Sequence, residues 1–426
     1  MDKVTIQNLL RKTNFRDEGP KNLGYLRKDY LLEIWKSIWI KDLLKVILWQ
    51  RRSWKSYIMR QLISDLITNK WVNPENILYI NLELFDYQNL IKTSEDFDKV
   101  FKIYQENIFK SWKIYLFVDE IQIVEWWEKY INSLRADYTL DIEIFISWSN
   151  SKLLSWELAT YLGGRYLSFI VSPFSYEEYL DIHHYSRWYE TLTNYLNTWW
   201  MPELFNIESE ELKEKYILQL NETIILKDIW ERYWVRDIST LSAIYMFLMN
   251  NIGNLTSLNS LKNKLESEKI NISVPTLSNY ITYLQETFVF FWVSRYDVRW
   301  KRILEGEKKY YLNDFSFLNY SFSGYDDFNW KKLENYVYNY LRRREYSVYV
   351  WRFSDKEIDF VAEKKWKKIY VQVAYLLTDK TTAEREYSSL RAIKDSFPKY
   401  IISMDLMNYP IDEYWIQHQQ AWNLDL

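Results

Sequence analysis

Residues 46–62 read VILWQRRSWKSYIMRQL. The apolar run Val46-Ile47-Leu48 leads into Trp49-Gln50-Arg51-Arg52-Ser53-Trp54-Lys55-Ser56, and the segment that follows spaces Ile58, Met59, Leu62, Ile63 and Leu66 along one helical face. Strand, eight-residue turn and helix are the layout of a phosphate-binding loop, GxxxxGK[ST], with every position in place except the two glycines. At both of these stands tryptophan. Where backbone N–H groups must turn toward a phosphate, an indole fills the space the anion needs. Either the loop is dead, or the written tryptophans stand for something smaller.

Composition favours the second reading. Glycine at an average of about 7% would give roughly 30 residues; the chain has 7, while Trp reaches 22. Many of the tryptophans stand where glycine is the usual residue. Trp71 in NKWVNPEN follows a helical pattern, Trp366 in EKKWKKIY and Trp300 in DVRWKRIL sit in apparent hairpin turns, and Trp199-Trp200 precede Met-Pro in a polar connection. Some bacterial lineages read UGA as glycine, and a common alternative table reads it as tryptophan; many of these residues are accordingly expected to be glycine in the polypeptide. Trp127 in VEWWEKYINSL lies on an apolar helical phase, which leaves Trp126 as the glycine of that pair. Pattern alone does not assign Trp35, Trp39, Trp188, Trp230, Trp415 or Trp422.

At 426 residues the chain predicts two to four domains. Lys plus Arg number 55 against 58 for Asp plus Glu, a net charge of -3, so no chain-wide basic field calls for nucleic acid and any such face is local. The absence of cysteine excludes disulfides and thiolate metal sites. With no apolar leader and no run of membrane-spanning length, the expectation is a cytoplasmic protein with no membrane partner.

A second segment completes the nucleotide pattern. In KIYLFVDEIQ (113–122) an apolar run ends in Asp119-Glu120, the form of a Walker B strand. Asp119 is placed to hold magnesium with the Ser56 hydroxyl, Lys55 to reach the terminal phosphates, and Glu120 to orient or deprotonate the attacking water. A third run, DIEIFIS (141–147), is followed by Trp148-Ser149-Asn150-Ser151, where Asn150 is a candidate sensor of the γ-phosphate. Arg165, in YLGGRYLSF, is a candidate for transition-state charge. Strands at about 44–49, 77–83, 113–119, 142–148 and 166–171 alternate with helical patterns, predicting a doubly wound α/β core with its ligand at the strand C-terminal ends.

Taken with glycine at the suspect positions, LWQRRSWKS (48–56), VDEIQIVEWWEKYINSLR (118–135), ISWSNSKLLSWELATYLGGRY (146–166), VSPFSYEEYL (171–180) and NTWWMPELF (197–205) together resemble the prokaryotic AAA-type ATP-binding proteins that carry a C-terminal domain of unknown function. The resemblance implies ATP and Mg2+ as ligands. It also implies an AAA-type P-loop core over 1–175, a helical lid over 176–235, a winged-helix segment over 236–305 and a nuclease-like C-terminal domain over 306–426. The patterns agree in order: ISTLSAIYMFLMNNIG and TLSNYITYLQETFVFF read as helices, and WVSRYDVRWKRIL as a hairpin. The second of these helices is the one a winged helix would place in a DNA groove. Only Arg295, Arg299, Lys301 and Arg302 cluster there, so DNA recognition and plain domain packing both stay open.

In the last segment, Glu334 on a helical pattern and Asp359 in EIDF resemble the PD-(D/E)XK nuclease core, a restriction-endonuclease-like α/β fold. In that fold the next strand carries Glu-x-Lys. Here it reads Gln372-Val373-Ala374, so magnesium loses a carboxylate and the water its lysine. The expectation is a retained fold with cleavage lost, unless Glu357 or another nearby acid substitutes. Function is expected to be ATP hydrolysis used as a conformational switch. The alternatives are a non-enzymatic interaction protein with a degenerate loop and an ATP-regulated DNA nuclease.

Overall fold

Short runs rich in β-branched and aromatic residues become five parallel strands: β1 (Leu44–Trp49), β2 (Ile77–Asn81), β3 (Ile114–Asp119), β4 (Ile142–Trp148) and β5 (Tyr166–Val171). The computed structural model describes the chain except residues 1, 15–18, 41–42, 50–54, 111, 149–161, 199–200, 203, 205–206, 225–228, 231–232, 298–301, 322–328 and 354–355. Strand order is β2-β3-β4-β1-β5. A parallel sheet is covered on both faces, and β3 is accordingly buried along its whole length. The helices of this unit are α1 (Lys3–Thr13), α2 (Lys28–Trp35), α3 (Lys55–Thr68), α4 (Phe85–Leu90), α5 (Ser94–Asn107) and α6 (Trp127–Ala136). The predicted apolar face of α3 is buried against the sheet. Order reverses between β1 and β4, which opens the ligand crevice at their C-terminal ends.

At the opposite ends of the strands lies a buried ion group. Glu143 of β4 pairs with Lys45 of β1 and, at 2.7 Å, with Lys113 just before β3. Burial, and then the charge of Lys113, pushes the Lys45 amine down to about 8. Glu143→Gln leaves the two buried ammonium groups facing each other, and removing one partner of a buried pair costs about 3 kcal/mol. Urea unfolding of the variant is expected to show a loss of that size.

The chain divides into two compact units, Met1–Val171 and Ser172–Leu426. The second opens with helices Tyr176–His183, Tyr189–Asn197 and Glu210–Thr223. Helices Ile238–Asn250, Leu258–Ser267 and Val274–Glu286 follow, then the hairpin β6 (Phe290–Asp297) and β7 (Arg302–Leu312). After helix Asn329–Arg343 come β8 (Ser347–Phe353), β9 (Lys356–Lys364), β10 (Lys367–Val373), helix Lys380–Arg391, β11 (Lys399–Ser403) and β12 (Ile416–Gln420). The sheet runs β12-β11-β10-β9-β8-β6-β7, so the hairpin forms one of its edges, joined through Arg295 beside Val350. One apolar cluster extends from Tyr176 to Leu424. Residues 176–235, expected as a helical lid, supply Leu192, Tyr195, Ile217 and Leu220 to it, and Tyr176 meets Tyr336 edge-on.

The tryptophans sort themselves by backbone. Among the described residues thirteen non-glycine residues have positive φ, and six are tryptophans: Trp39, Trp71, Trp112, Trp126, Trp234 and Trp415. Trp supplies 22 of 426 residues, so chance would put fewer than one there. All six are exposed, Trp71 to 87% and Trp234 to 85%. A mostly exposed indole gains little from burial in a backbone conformation that favours glycine. Trp127 and Trp422, by contrast, are buried. Trp366 sits in the β9–β10 hairpin turn as expected, with the positive φ of that turn on its neighbour Lys365. Trp199, Trp200 and Trp300 lie outside the described residues.

Candidate functional site

Trp49 ends β1 in register with Val171 of β5, and Lys55 and Ser56 open α3. Gln50, Arg51, Arg52, Ser53 and Trp54 of the expected loop lie outside the described residues, as does Asn150. The Ser56 hydroxyl donates to Asp119 Oδ2 at 2.5 Å, linking the start of α3 to the last residue of β3. Two segments 63 residues apart in sequence are thus brought together as the motifs require.

Asp119 is fully buried and heavily engaged. Besides Ser56, it accepts from the Tyr79 hydroxyl at 3.2 Å and from the Ser147 hydroxyl. Burial, and then the charge of Asp119, holds the Tyr79 hydroxyl well above the usual tyrosine range, so it stays a donor. Ser147 also accepts the Glu120 N–H at 3.0 Å. Glu120 is buried in left-handed backbone, φ 60° and ψ 48°, with its carboxylate receiving the Gln122 amide. A bulky residue in that region marks stored strain of the kind found at functional sites. Tyr79 and Ser147 were missed by the sequence reading. Their signal was positional: both lie on strands that flank β3, Ser147 one residue from the end of β4.

Arg165 requires a correction. It immediately precedes β5, and its carbonyl accepts the N–H of Leu44 at the first residue of β1. The strands are parallel, so Arg165 lies at the N-terminal edge of the sheet, roughly 20 Å along the strands from Ser56 at ~3.3 Å per residue. It takes no part in this chain's own site. Trp148, which closes β4 just before the candidate sensor Asn150, meets Trp127 edge-on, and its indole N–H has no partner among the described residues. A buried tryptophan N–H is normally paired.

The second unit gathers its acids. Glu334 of helix Asn329–Arg343 and Glu357 and Asp359 of β9 surround the ammonium of Lys309 at 3.0, 2.7 and 3.1 Å. Gln372 of β10 accepts the Asp359 N–H and donates to Glu386 at 2.6 Å. Burial pushes the Glu334 carboxyl up to about 7, against the pull of Lys309. Burial also works against the charged amine of Lys309, but Glu334, Asp359 and Glu357 outweigh it and hold the amine well above the usual range. Sequence reading missed Lys309 because it lies in the hairpin, 25 residues before Glu334, the first of the three acids it meets. Of the basic cluster for which DNA recognition and domain packing both stayed open, Arg295 is paired with Glu307 at 3.0 Å, and Arg299 and Lys301 lie outside the described residues.

Residues 41–180 match the AAA domain family, residues 189–327 a domain of unknown function (DUF8612), and residues 331–424 another (DUF4143). An uncharacterised protein of Haemophilus influenzae is 36% identical over 367 residues, 85% of this chain and 89% of that protein. An uncharacterised protein of Methanocaldococcus jannaschii is 30% identical over 393 residues, 88% of this chain and 83% of that one. Among solved structures, AMPPCP-bound DnaA from Aquifex aeolicus aligns with a TM-score of 0.30 at 12% identity, over 60% of this chain and 86% of that one, which adds nothing to the assignment. Identity and coverage of the two relatives, the AAA match and the β2-β3-β4-β1-β5 sheet lead to one conclusion: the chain belongs to the family of these two proteins and carries an AAA-type P-loop domain.

Proposed function

We propose that the protein binds ATP with magnesium and hydrolyses it slowly, using the nucleotide state as a switch that alters the second unit's affinity for a partner. The observation that carries this reading is the 2.5 Å contact between Ser56 and Asp119 at the C-terminal ends of β1 and β3. A hydroxyl at a helix start and a fully buried carboxylate are the donor set that P-loop proteins use for the metal. Ser56 and Asp119 would hold Mg2+, which would supply charge neutralisation to the phosphates. Lys55 would reach the terminal phosphates, and Glu120 would orient the attacking water.

The reading needs small residues at 49 and 54, and the six tryptophans in left-handed backbone support recoding as their source. Codons test this directly: UGG at positions 49, 54, 71 and 126 ends the recoding proposal. Protein made with glycine at the suspect positions is expected to turn over ATP, and protein carrying the written tryptophans to do so far more slowly. Equal turnover after Lys55→Ala would defeat the switch.

For the second unit the proposal assigns a winged helix to helices Ile238–Asn250, Leu258–Ser267 and Val274–Glu286 with the β6–β7 hairpin. To the C-terminal segment it assigns a nuclease-like fold that no longer cuts. The neutral Gln372, hydrogen-bonded between Asp359 and Glu386, supports that loss.

A further inference from the structure

We infer that the Lys309 ammonium is the resident cation of the acidic pocket formed by Glu334, Glu357 and Asp359, and that it closes this pocket to divalent metal. The inference goes beyond the ATP reading and does not rest on it.

An ammonium has three N–H donors. Lys309 is 3% exposed, and three carboxylates stand within hydrogen-bond reach of its nitrogen, one for each donor. Two of the three acids are held by further donors as well. Glu334 Oε1 also accepts the Tyr311 hydroxyl at 2.6 Å, and Asp359 Oδ2 accepts the Val373 N–H at 3.0 Å. On the far side of Glu334, a Cβ built on Gly253 would stand 3.2 Å from Oε2, so main chain closes that flank. Contacts of 2.7 to 3.1 Å suit a charge-assisted N–H···O bond. A magnesium ion requires oxygens at about 2.0 Å and six of them. With Lys309 in place, the nitrogen occupies the point on which the acids converge.

The lysine also ties the fold together. It belongs to β7, within the segment that matches one family of unknown function, and all three acids lie in the segment that matches the other. A metal in this place would be exchangeable. A lysine is covalently fixed to the hairpin and holds the two segments in one arrangement whatever the cellular metal level.

The test uses full-length, nucleotide-free protein carrying Asp119→Asn, so that the nucleotide site contributes no metal binding. Mn2+ is titrated with water-proton relaxation as the readout, and thermal unfolding is recorded in EDTA and in millimolar Mn2+. With Lys309 present, binding is expected to match that of an added Asp359→Asn variant, and the unfolding midpoint to be the same in both buffers. Lys309→Ala, and Lys309→Met, which keeps the aliphatic stem, are expected to gain a Mn2+ site and a midpoint raised by several degrees in Mn2+. A Mn2+ site in protein with Lys309 that disappears with Asp359→Asn would overturn the inference, as would lysine variants that fold but gain neither signal. If both lysine variants fail to fold, the comparison with Asp359→Asn decides: equal binding upholds the inference and a lost site overturns it.

Discussion

In protein carrying glycine at positions 49 and 54, Glu120→Gln is expected to bind ATP as the parent does and to hydrolyse it about 10²–10⁴-fold more slowly, the usual contribution of a positioned general base. The expectation follows from how Glu120 is held. Its backbone is fixed in a left-handed conformation, Ser147 accepts its N–H, and Gln122 holds the carboxylate. The isosteric amide preserves this geometry and removes only the ability to take a proton. Ser56→Ala should differ in kind, raising the magnesium concentration needed for half-maximal turnover, because the residue it removes contacts Asp119 directly. Steady-state turnover and binding of a fluorescent nucleotide separate the two effects. Unchanged turnover in Glu120→Gln would remove Glu120 from the mechanism.

Replacing Trp39, Trp71, Trp112 and Trp126 together by glycine is expected to stabilise the first unit by about 4 kcal/mol. Left-handed backbone costs a side-chain-bearing residue roughly 1–2 kcal/mol, and glycine returns part of that as chain entropy. For a unit of this size each kcal/mol moves the unfolding midpoint by about 2–4 °C, so the combined rise is roughly 10 °C. Trp39 and Trp112 lie 6.5 Å apart, and their contributions need not add. The controls are Trp127→Gly and Trp422→Gly, which empty buried positions and should each cost about 3 kcal/mol or more. Calorimetry on the two sets gives opposite signs if the exposed tryptophans stand for glycine, and the same sign if all of them belong.

Much of the first unit was legible because its information is local. The strand bounds of β1, β4 and β5 follow from apolar runs between turn residues, and the burial of α3 from its spacing. Arg165 was misplaced because a Gly-Gly-Arg turn says nothing about which end of a sheet it occupies. That depends on the direction of β5, which begins at the next residue. In the second unit, legibility fell with sequence separation. Glu334 and Asp359 were found as motif residues, whereas Lys309, which meets Asp359 from 50 residues away, has no pattern of its own. The helices of 176–235 look polar along the chain and are apolar only on the faces the tertiary fold turns inward.

The β6–β7 hairpin bears on modularity and inheritance. Family boundaries cut the second unit between residues 327 and 331, yet the hairpin on one side of the cut is the sheet edge of the other and carries the cation its acids need. A piece beginning at 331 would bare the edge of β8 and leave three carboxylates uncompensated, a combination that invites aggregation. The two segments are separable as text and inseparable as a folding unit. An exchange of either one between relatives has to carry Lys309 together with Glu334, Glu357 and Asp359, so these four positions are expected to be gained and lost as a set.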